Sequence, residues 1–273
     1  MQNTTKKLSV AMITFNEERN LARTLNSVSN IADEIVIVDS GSTDKTQQIA
    51  LDFGANFIEQ KWLGYGKQRN IAFENCTSKW ILCIDADEEV SLELAKKIKE
   101  IVDDENIKKD NNIKNNKNIE NKVYEINRIS ICFGKILKYG GWGSSYAMRL
   151  FLRGCGKFND NVVHESFETN CKISKLSPKY SLYHHSYLTM KDYFDKFNRY
   201  TTEGAIDYYK KGKRGSIFNI VFNPLFKFIK MYIIRLGFLD GVEGFMIAYS
   251  SSLYTMTKYF KLREIYKNNS YIE

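Results

Sequence analysis

The chain has 273 residues, 43% of them hydrophobic, which predicts one large domain, or one domain with an appendage, around a sizeable core. Its net charge of +8 favours anionic partners such as a nucleotide, a phosphorylated glycan or an anionic lipid surface. No DNA- or RNA-binding motif accompanies the charge, so we expect no nucleic-acid partner. The five cysteines include no Cys-x-x-Cys pair, which predicts reduced thiols rather than disulfides or zinc.

Strand and helix patterns alternate four times in the first hundred residues, which is typical of an α/β fold with a doubly wound, mostly parallel sheet flanked by helices. Short apolar runs predict strands over residues 8–14, 34–38, 55–59 and 79–85. Helical spacing predicts a first helix that opens at Asn16-Glu17-Glu18 and carries Leu21, Leu25 and Val28. Further helices are predicted at 46–53, 71–75 and 91–102.

An acidic cluster, Asp85-Ala86-Asp87-Glu88-Glu89, ends the fourth predicted strand. Ligands of an open α/β sheet bind outside the carboxyl ends of its strands. No Lys or Arg adjoins the cluster, so we expect its carboxylates to repel one another unless a cation joins them. Mg²⁺ or Mn²⁺ prefers oxygen ligands and shares them with substrate phosphates. The alternative is a simple helix start, with Asp87 or Ser91 as its N-cap.

Two further charged residues fall at the same predicted sheet edge. Asp39 begins a glycine turn after the second strand, and Arg69 follows the glycine-bearing loop after the third. Asp39 alone could be only a turn residue, and Arg69 only a solvated cation. Their placement with Asp85 and Asp87 favours a metal-assisted diphosphate site.

All three histidines lie close together, at positions 164, 184 and 185. Such residues are commonly structural, but their position after an acidic metal motif makes a functional cluster the competing interpretation. Glu165 follows the first histidine and is a candidate general base, since a carboxylate can deprotonate a sugar hydroxyl.

The later part of the chain differs in composition. Residues 103–122 form a low-complexity run of Asn, Lys, Asp and Ile, which predicts a mobile insertion in a catalytic domain spanning 1–188. Residues 189–273 predict a helical, basic and aromatic extension. Within it, 217–238 is suited to lie in an anionic membrane interface; packing on the catalytic domain or in a dimer interface is the alternative. The chain contains no uninterrupted apolar run of 18 residues, so we predict no spanning helix.

Five segments, in this order, resemble the family 2 glycosyltransferases, which share the GT-A fold: residues 13–18, 38–44, 68–70, 85–88 and 163–165. More narrowly, the chain resembles the bacterial lipopolysaccharide core glucosyltransferases that add β-glucose to the inner-core heptose. The segments 237–241 and 184–187 are similar to that subgroup too. The resemblance covers nearly all of the chain outside 103–122.

The resemblance implies a binding site for a nucleoside-diphosphate sugar. Thr14 and Asp39 would contact the base, and Glu17 would belong to the same site. Arg69 would approach the nucleotide or its phosphates, and Asp85 would lie near the ribose.

The resemblance also implies a metal and a base. Asp87 would bind Mg²⁺ or Mn²⁺ under the diphosphate, with His184 as a further ligand. Glu165 would be the base of an inverting displacement, in which the acceptor hydroxyl attacks from the face opposite the diphosphate.

The function that this implies is transfer of a hexose, glucose from UDP-glucose, to a lipid-linked lipopolysaccharide or lipooligosaccharide core. The enzyme would be cytoplasmic and peripheral on the inner face of the bacterial inner membrane. Two alternatives stay open: another sugar or cell-surface acceptor in the same reaction class, and a non-catalytic nucleotide-sugar-binding protein.

Overall fold

The structure is a computed structural model that describes residues 6–104, 123–159 and 166–268. The predicted base Glu165 and nearly all of the predicted insertion lie outside the described residues. The first hundred residues form four parallel strands: β1 Leu8–Thr14, β2 Glu34–Asp39, β3 Asn56–Glu59 and β4 Trp80–Cys83. The helices among and after them are α1 Leu21–Val28, α2 Thr46–Asp52, α3 Tyr65–Glu74 and α4 Leu92–Asp103.

The later strands widen this sheet, mainly in antiparallel pairs. They are β5 Glu88–Val90, β6 Val123–Cys132, β7 Lys135–Ile136, β8 Ser145–Leu152, β9 Gly156–Phe158, β10 Phe167–Thr169, β11 Ile173–Lys175 and β12 Ser181–Tyr187. The main sheet runs β3-β2-β1-β4-β8-β6-β12-β5, with β7 and β11 also paired to β6, and β9 and β10 form a separate pair. The predicted α/β class with a mostly parallel sheet is confirmed, and antiparallel pairs extend the sheet from β8 onward.

Alternation along the strands places core residues on both faces of the sheet. In β1, the side chains of Leu8, Val10 and Met12 pack with α1 and α4, whereas Ala11 belongs to the cluster on the opposite face. That second cluster includes Phe73 of α3 and Phe151 of β8, whose rings are 5.0 Å apart. Because both faces are covered by apolar side chains, the carboxyl edge of the parallel strands is where polar side chains collect.

Two local predictions need correction. Helix α3 begins at Tyr65, not at residue 71, because Gly64 turns the chain at φ +101° and its carbonyl accepts the N–H of Gln68. Residues Glu88–Val90 form strand β5, paired antiparallel with β12, rather than the start of a helix. The N-cap of α4 is Ser91, whose hydroxyl accepts the N–H of Leu94.

The chain divides into two compact units. The first comprises Met1–Arg128 with Ser145–His184, and the second comprises Ile129–Ser144 with His185–Glu273. The second unit contains the helices α5 Met190–Lys210, α6 Ile217–Ile229 and α7 Gly241–Asn268, with a π-helical turn at Lys230–Ile234 and a 3₁₀ turn at Gly237–Asp240. The predicted boundary at 188 stays a prediction. All five cysteines are free.

The segment 217–238 is not one continuous helix. It begins with α6 and continues as the π turn. The chain then reverses direction at Leu236, which has φ +57°. The buried carboxylate of Asp240 accepts the backbone N–H groups of Lys138 and Tyr139. A Cβ on Gly244 would lie 2.0 Å from the Gly237 carbonyl oxygen, so this close approach needs glycine.

The window Ile217–Ile234 is long and apolar enough to cross a membrane, with a mean hydropathy of 1.4 and 17% of it buried. The sequence analysis predicts no spanning helix because no apolar run of 18 residues is uninterrupted. Lys227 and Lys230 do interrupt this window, but by length and composition it still qualifies as a candidate span. Length and composition alone are weak evidence for a span, since core helices also satisfy them.

Candidate active site

Asp39 sits at the carboxyl end of β2 and builds the turn that follows it. Its buried carboxylate accepts the Thr14 hydroxyl at 2.7 Å, the N–H groups of Gly41 and Ser42 at 2.9 and 2.7 Å, and the Ser42 hydroxyl at 2.6 Å. Parallel pairing of β1 and β2 places Thr14 directly opposite Asp39. The structure thus brings together the two residues predicted to contact the nucleotide base.

The loop after β1 is joined to this turn. Asn16, at φ +54°, donates its N–H to the Ser42 hydroxyl at 2.7 Å and accepts the Thr43 N–H at 2.9 Å. The N–H of Glu17 donates to the Thr46 hydroxyl, and the Glu17 carboxylate accepts the side chain of Asn20. These hydrogen bonds therefore fix the loop after β1 against the turn after β2.

Asp85 lies beyond the end of β4 and is neutralised by two arginines. Arg69 of α3 donates to one carboxylate oxygen at 2.8 Å, and Arg149 of β8 donates to the other at 2.6 Å. Burial alone would raise the pKa of Asp85, but the charges of Arg149 and Arg69 hold it well below its usual range. Asp85 is therefore a carboxylate whose two oxygens are already engaged.

Glu88 is a second acid in the same network, and its side chain is fully buried. It accepts Arg149 at 2.6 Å and the Asp85 N–H at 3.0 Å, and the Arg128 guanidinium lies 3.4 Å away. Burial, opposed by Arg149, raises the pKa of Glu88, and the charge of Asp85 acts in the same direction. Arg149 is thus the cation that the two acids share.

Asp87 instead faces His184. Its carboxylate oxygen lies 3.3 Å from His184 Nε2, because β12 pairs with β5 in a register that sets His184 opposite Glu88. The Arg128 guanidinium lies 3.1 Å from His184 Nδ1. A guanidinium can only donate, so Nδ1 accepts and the ring proton is on Nε2, directed at Asp87.

The expectation that no cation adjoins the acids is therefore wrong. Arg128 and Arg149 come from β6 and β8, far along the chain, and enter the site through antiparallel pairing with the central sheet. Sequence reasoning assigned neither a role. The available signal was Arg149 itself, an arginine inside the apolar strand pattern AMRLFL, because a buried arginine needs a partner.

Asp87 and His184 are the two described residues that suit a divalent cation. Adjacent ligands of an ion with bonds of about 2.1–2.2 Å stand roughly 3 Å apart, close to their 3.3 Å separation. Asp87 offers oxygen and His184 nitrogen, a set that fits Mn²⁺ when diphosphate oxygens complete the shell. Across 6–104, 123–159 and 166–268, no three His, Cys, Asp or Glu side chains form a metal-binding group.

We predict that Arg149→Met lowers the free energy of unfolding by about 3–5 kcal/mol, because it removes the cation that the buried carboxylate of Glu88 shares with the partly buried carboxylate of Asp85. Urea denaturation followed by circular dichroism measures this loss. Arg149→Met combined with Glu88→Gln should recover part of it, since one buried charge is then removed.

Arg153→Met is the matched control, because Arg153 lies just beyond the end of the same strand and is exposed. Equal stability of the wild type, Arg149→Met and the control would show that the buried network does not hold the acids in place.

Known proteins resemble the chain over most of its length. The model of the family described as glycosyl transferase family 2 matches residues 9–151, just over half of the chain. A protein of Rickettsia typhi named as an uncharacterized glycosyltransferase is 33% identical over 267 residues, covering 95% of this chain and 88% of the relative. The lipopolysaccharide core biosynthesis glycosyltransferase LpsC of Rhizobium meliloti is 29% identical over 255 residues, covering 90% of this chain and 88% of the relative.

Among solved structures, Staphylococcus aureus TarS 1–349 in complex with UDP-GlcNAc is 16% identical with a TM-score of 0.44, covering 98% of this chain and 93% of that one. A likeness this distant supports no inference about the present chain. The family match and the Rickettsia relative are sufficient: the chain belongs to glycosyl transferase family 2, has the GT-A fold that its sheet order and sequence segments predict, and is a glycosyltransferase.

Proposed function

We propose that this enzyme transfers a hexose, glucose from UDP-glucose, to the core of a lipopolysaccharide or lipooligosaccharide, with inversion at the anomeric carbon. The observation that carries the proposal is the pairing of Asp87 with His184 beside an arginine-neutralised Asp85, at the edge where parallel strands end. The relative named for lipopolysaccharide core biosynthesis supports the acceptor class.

The nucleotide part of the donor is assigned to the carboxyl edge of β1 and β2. Thr14 and Asp39 face each other there, and Glu17 stands in the adjoining loop. We assign the ribose to Asp85 and the phosphates to Arg69, the two members of one ion pair. Because Asp85 is held by two arginines, its carboxylate is oriented before the donor arrives, which lowers the entropic cost of binding.

Asp87 and His184 would hold Mg²⁺ or Mn²⁺ against the diphosphate. When bound, such an ion acts as a Lewis acid that stabilises the negative charge developing on the leaving diphosphate. Asp87 would offer a carboxylate oxygen to the ion and His184 would offer Nε2. Arg128 lies 3.1 Å from the other ring nitrogen of His184 and 3.4 Å from the Glu88 carboxylate, so it would help to orient the imidazole beside the acid network.

Glu165 is the proposed base. The acceptor hydroxyl has a pKa far above 7, so a carboxylate within hydrogen-bond reach accelerates its attack by accepting the proton as the new bond forms. The assignment rests on the family resemblance, with Ser166 the first described residue after it.

We also propose that the second unit docks on an anionic membrane, consistent with a lipid-linked acceptor and a position at the cytoplasmic face of the inner membrane. On α6, Ile220 and Pro224 are buried while the other face exposes an apolar row: Phe218, Val221, Phe222, Leu225, Phe226 and Ile229. We call this row the α6 face. It resembles the apolar side of helices that lie in a membrane interface.

The charge around the α6 face supports an anionic membrane as its partner. From Tyr208 to Leu239 the sequence has seven Lys or Arg and no Asp or Glu. Burial, aided by the nearby charges of Arg235 and Lys230, lowers the pKa of Lys227. An excess of cations beside an apolar face is complementary to anionic headgroups and unfavourable in contact with a second copy of the same surface.

We predict that Asp87→Asn abolishes Mn²⁺-dependent transfer, because it removes the carboxylate that would face the ion. Radiolabelled glucose transfer from UDP-glucose to lipopolysaccharide core, measured across a Mn²⁺ titration, provides the test. Glu93→Gln, an exposed acid on α4, is the control and should retain activity. Unchanged kinetics in Asp87→Asn would remove Asp87 from the mechanism.

We predict that Glu165→Gln keeps donor affinity but lowers the transfer rate by roughly 10²–10⁴-fold, because the base is lost while the carboxamide keeps its shape. UDP-glucose binding by calorimetry and single-turnover transfer separate the two quantities. Glu168→Gln is the matched control, since Glu168 is exposed and three residues away. A near-wild-type rate in Glu165→Gln would assign the base to another residue.

We predict that the protein cosediments with vesicles containing phosphatidylglycerol but not with vesicles of phosphatidylcholine alone, and that added salt weakens binding. Phe222→Ser with Phe226→Ser should reduce sedimentation, whereas Phe260→Ser, an exposed aromatic outside the α6 face, should not. Failure to bind anionic vesicles, or a dimer that these changes dissociate, would reject the membrane as partner.

A further inference from the structure

An exposed aromatic pair stands at the start of α3, in the first unit. Trp62 is 46% exposed and Tyr65 is 38% exposed. Their ring centroids are 4.8 Å apart and their planes meet at 86°, so the two rings form an open corner. Leu63 between them is also half exposed. Isolated exposed apolar residues are ordinary, but a contiguous group is more often a binding surface.

The corner is carried on a fixed loop. The side-chain amide of Gln68, which is fully buried, donates to the Ser40 hydroxyl at 3.1 Å and to the Gln60 carbonyl at 3.2 Å. The Gln60 N–H in turn donates to the Asp39 carbonyl at 2.8 Å. The loop is thus attached to the turn of the donor site, and its aromatic rings are presented with little conformational entropy to lose.

The corner also adjoins the ion-paired acids. Tyr65 and Arg69 are one helical turn apart and lie on the same face of α3. Arg69 donates to Asp85 at 2.8 Å, and its guanidinium lies over the Phe158 ring at 5.0 Å. A ligand in contact with Tyr65 is therefore one turn of helix from the residues assigned to the sugar nucleotide.

Both ends of the segment that bears the proposed base meet near the same helix start. Asn159 and Ser166 are hydrogen-bonded to each other, with the Asn159 N–H 3.0 Å from the Ser166 carbonyl. A Cβ added to Gly66, the residue after Tyr65, would lie 2.1 Å from the Asn159 carbonyl oxygen. Asn159 and Ser166, the described residues on either side of that segment, are thus placed beside the start of α3.

We propose that Trp62 and Tyr65 bind a pyranose ring of the acceptor glycan, whose apolar C–H face packs against one ring while its edge meets the other. The proposal rests on the proposed function, because it assigns the acceptor side of the same reaction. The nucleobase of the donor is assigned to Thr14 and Asp39. The corner formed by Trp62 and Tyr65 is therefore left for the second substrate, the acceptor. Trp62 and Tyr65 would thereby select acceptors that present such a face next to the attacked hydroxyl.

Steady-state kinetics with UDP-glucose, Mn²⁺ and a deacylated lipopolysaccharide core oligosaccharide tests this. Trp62→Ala should raise the KM for the oligosaccharide about 3- to 10-fold, the range expected for one lost ring contact. The KM for UDP-glucose and the slow hydrolysis of UDP-glucose without acceptor should not change. Trp62→Phe should restore most of the acceptor affinity, because it keeps an apolar ring.

Phe260→Ala is the matched control, since Phe260 is 49% exposed on α7 and should leave every constant unchanged. Equal melting temperatures of all variants establish that the kinetics report binding. As a second measurement, the oligosaccharide should alter the tryptophan emission of the wild type, and Trp62→Phe should remove that change. The remaining tryptophans, Trp80 and Trp142, are buried or partly buried.

Three results would overturn the proposal. If wild-type transfer occurs and Trp62→Ala has an unchanged acceptor KM, the corner has no acceptor role and the proposed function stands. If the KM for UDP-glucose rises instead, the corner belongs to the donor. If the wild type does not glycosylate the oligosaccharide, and the oligosaccharide does not alter the tryptophan emission of the protein, both the proposed acceptor class and the acceptor role of Trp62 and Tyr65 are rejected.

Discussion

The site depends on one buried arrangement, in which Arg149 joins the carboxyl groups of Asp85 and Glu88. Two acids this close, one of them fully buried, would carry a large desolvation and repulsion cost without a shared cation. Arg69 and Arg128 complete the neutralisation from α3 and β6. The short chain between the two acids is thereby held at both ends, and Asp87 lies on it.

This arrangement gives the neighbouring acids Asp85 and Asp87 different roles. Asp85 has both oxygens committed to guanidinium groups, which makes it a fixed acceptor that orients Arg69 and, in our assignment, the ribose. Asp87 instead faces the imidazole of His184 across a gap that suits two ligands of one ion. Acids two residues apart thus acquire different chemistry because different strands pack against them. The effect requires the register of β5 on β12, which brings His184 beside Asp87.

Much of the parallel half could be predicted from the sequence. β1 occupies the predicted residues 8–14, and the edge that gathers Thr14, Asp39 and Asp85 follows from strand alternation alone. The ion network could not be predicted in this way, because Arg128 and Arg149 reach the acids through antiparallel pairing across tens of residues. The strand β5 was missed because three residues rich in Glu resemble a helix start, and only its pairing with β12 makes it a strand. The true start of α3 depends on the positive φ of Gly64, which no periodicity reveals.

Residue roles in the donor site are most directly tested by the position of the metal. A crystal of the protein grown with UDP and Mn²⁺, measured at a wavelength where manganese scatters anomalously, locates the ion without assuming any assignment. Our account predicts one peak within ligand distance of Asp87 and His184, with Asp85 still bound by Arg69 and Arg149. A peak coordinated by Asp85, or manganese bound away from both Asp87 and His184, would contradict it.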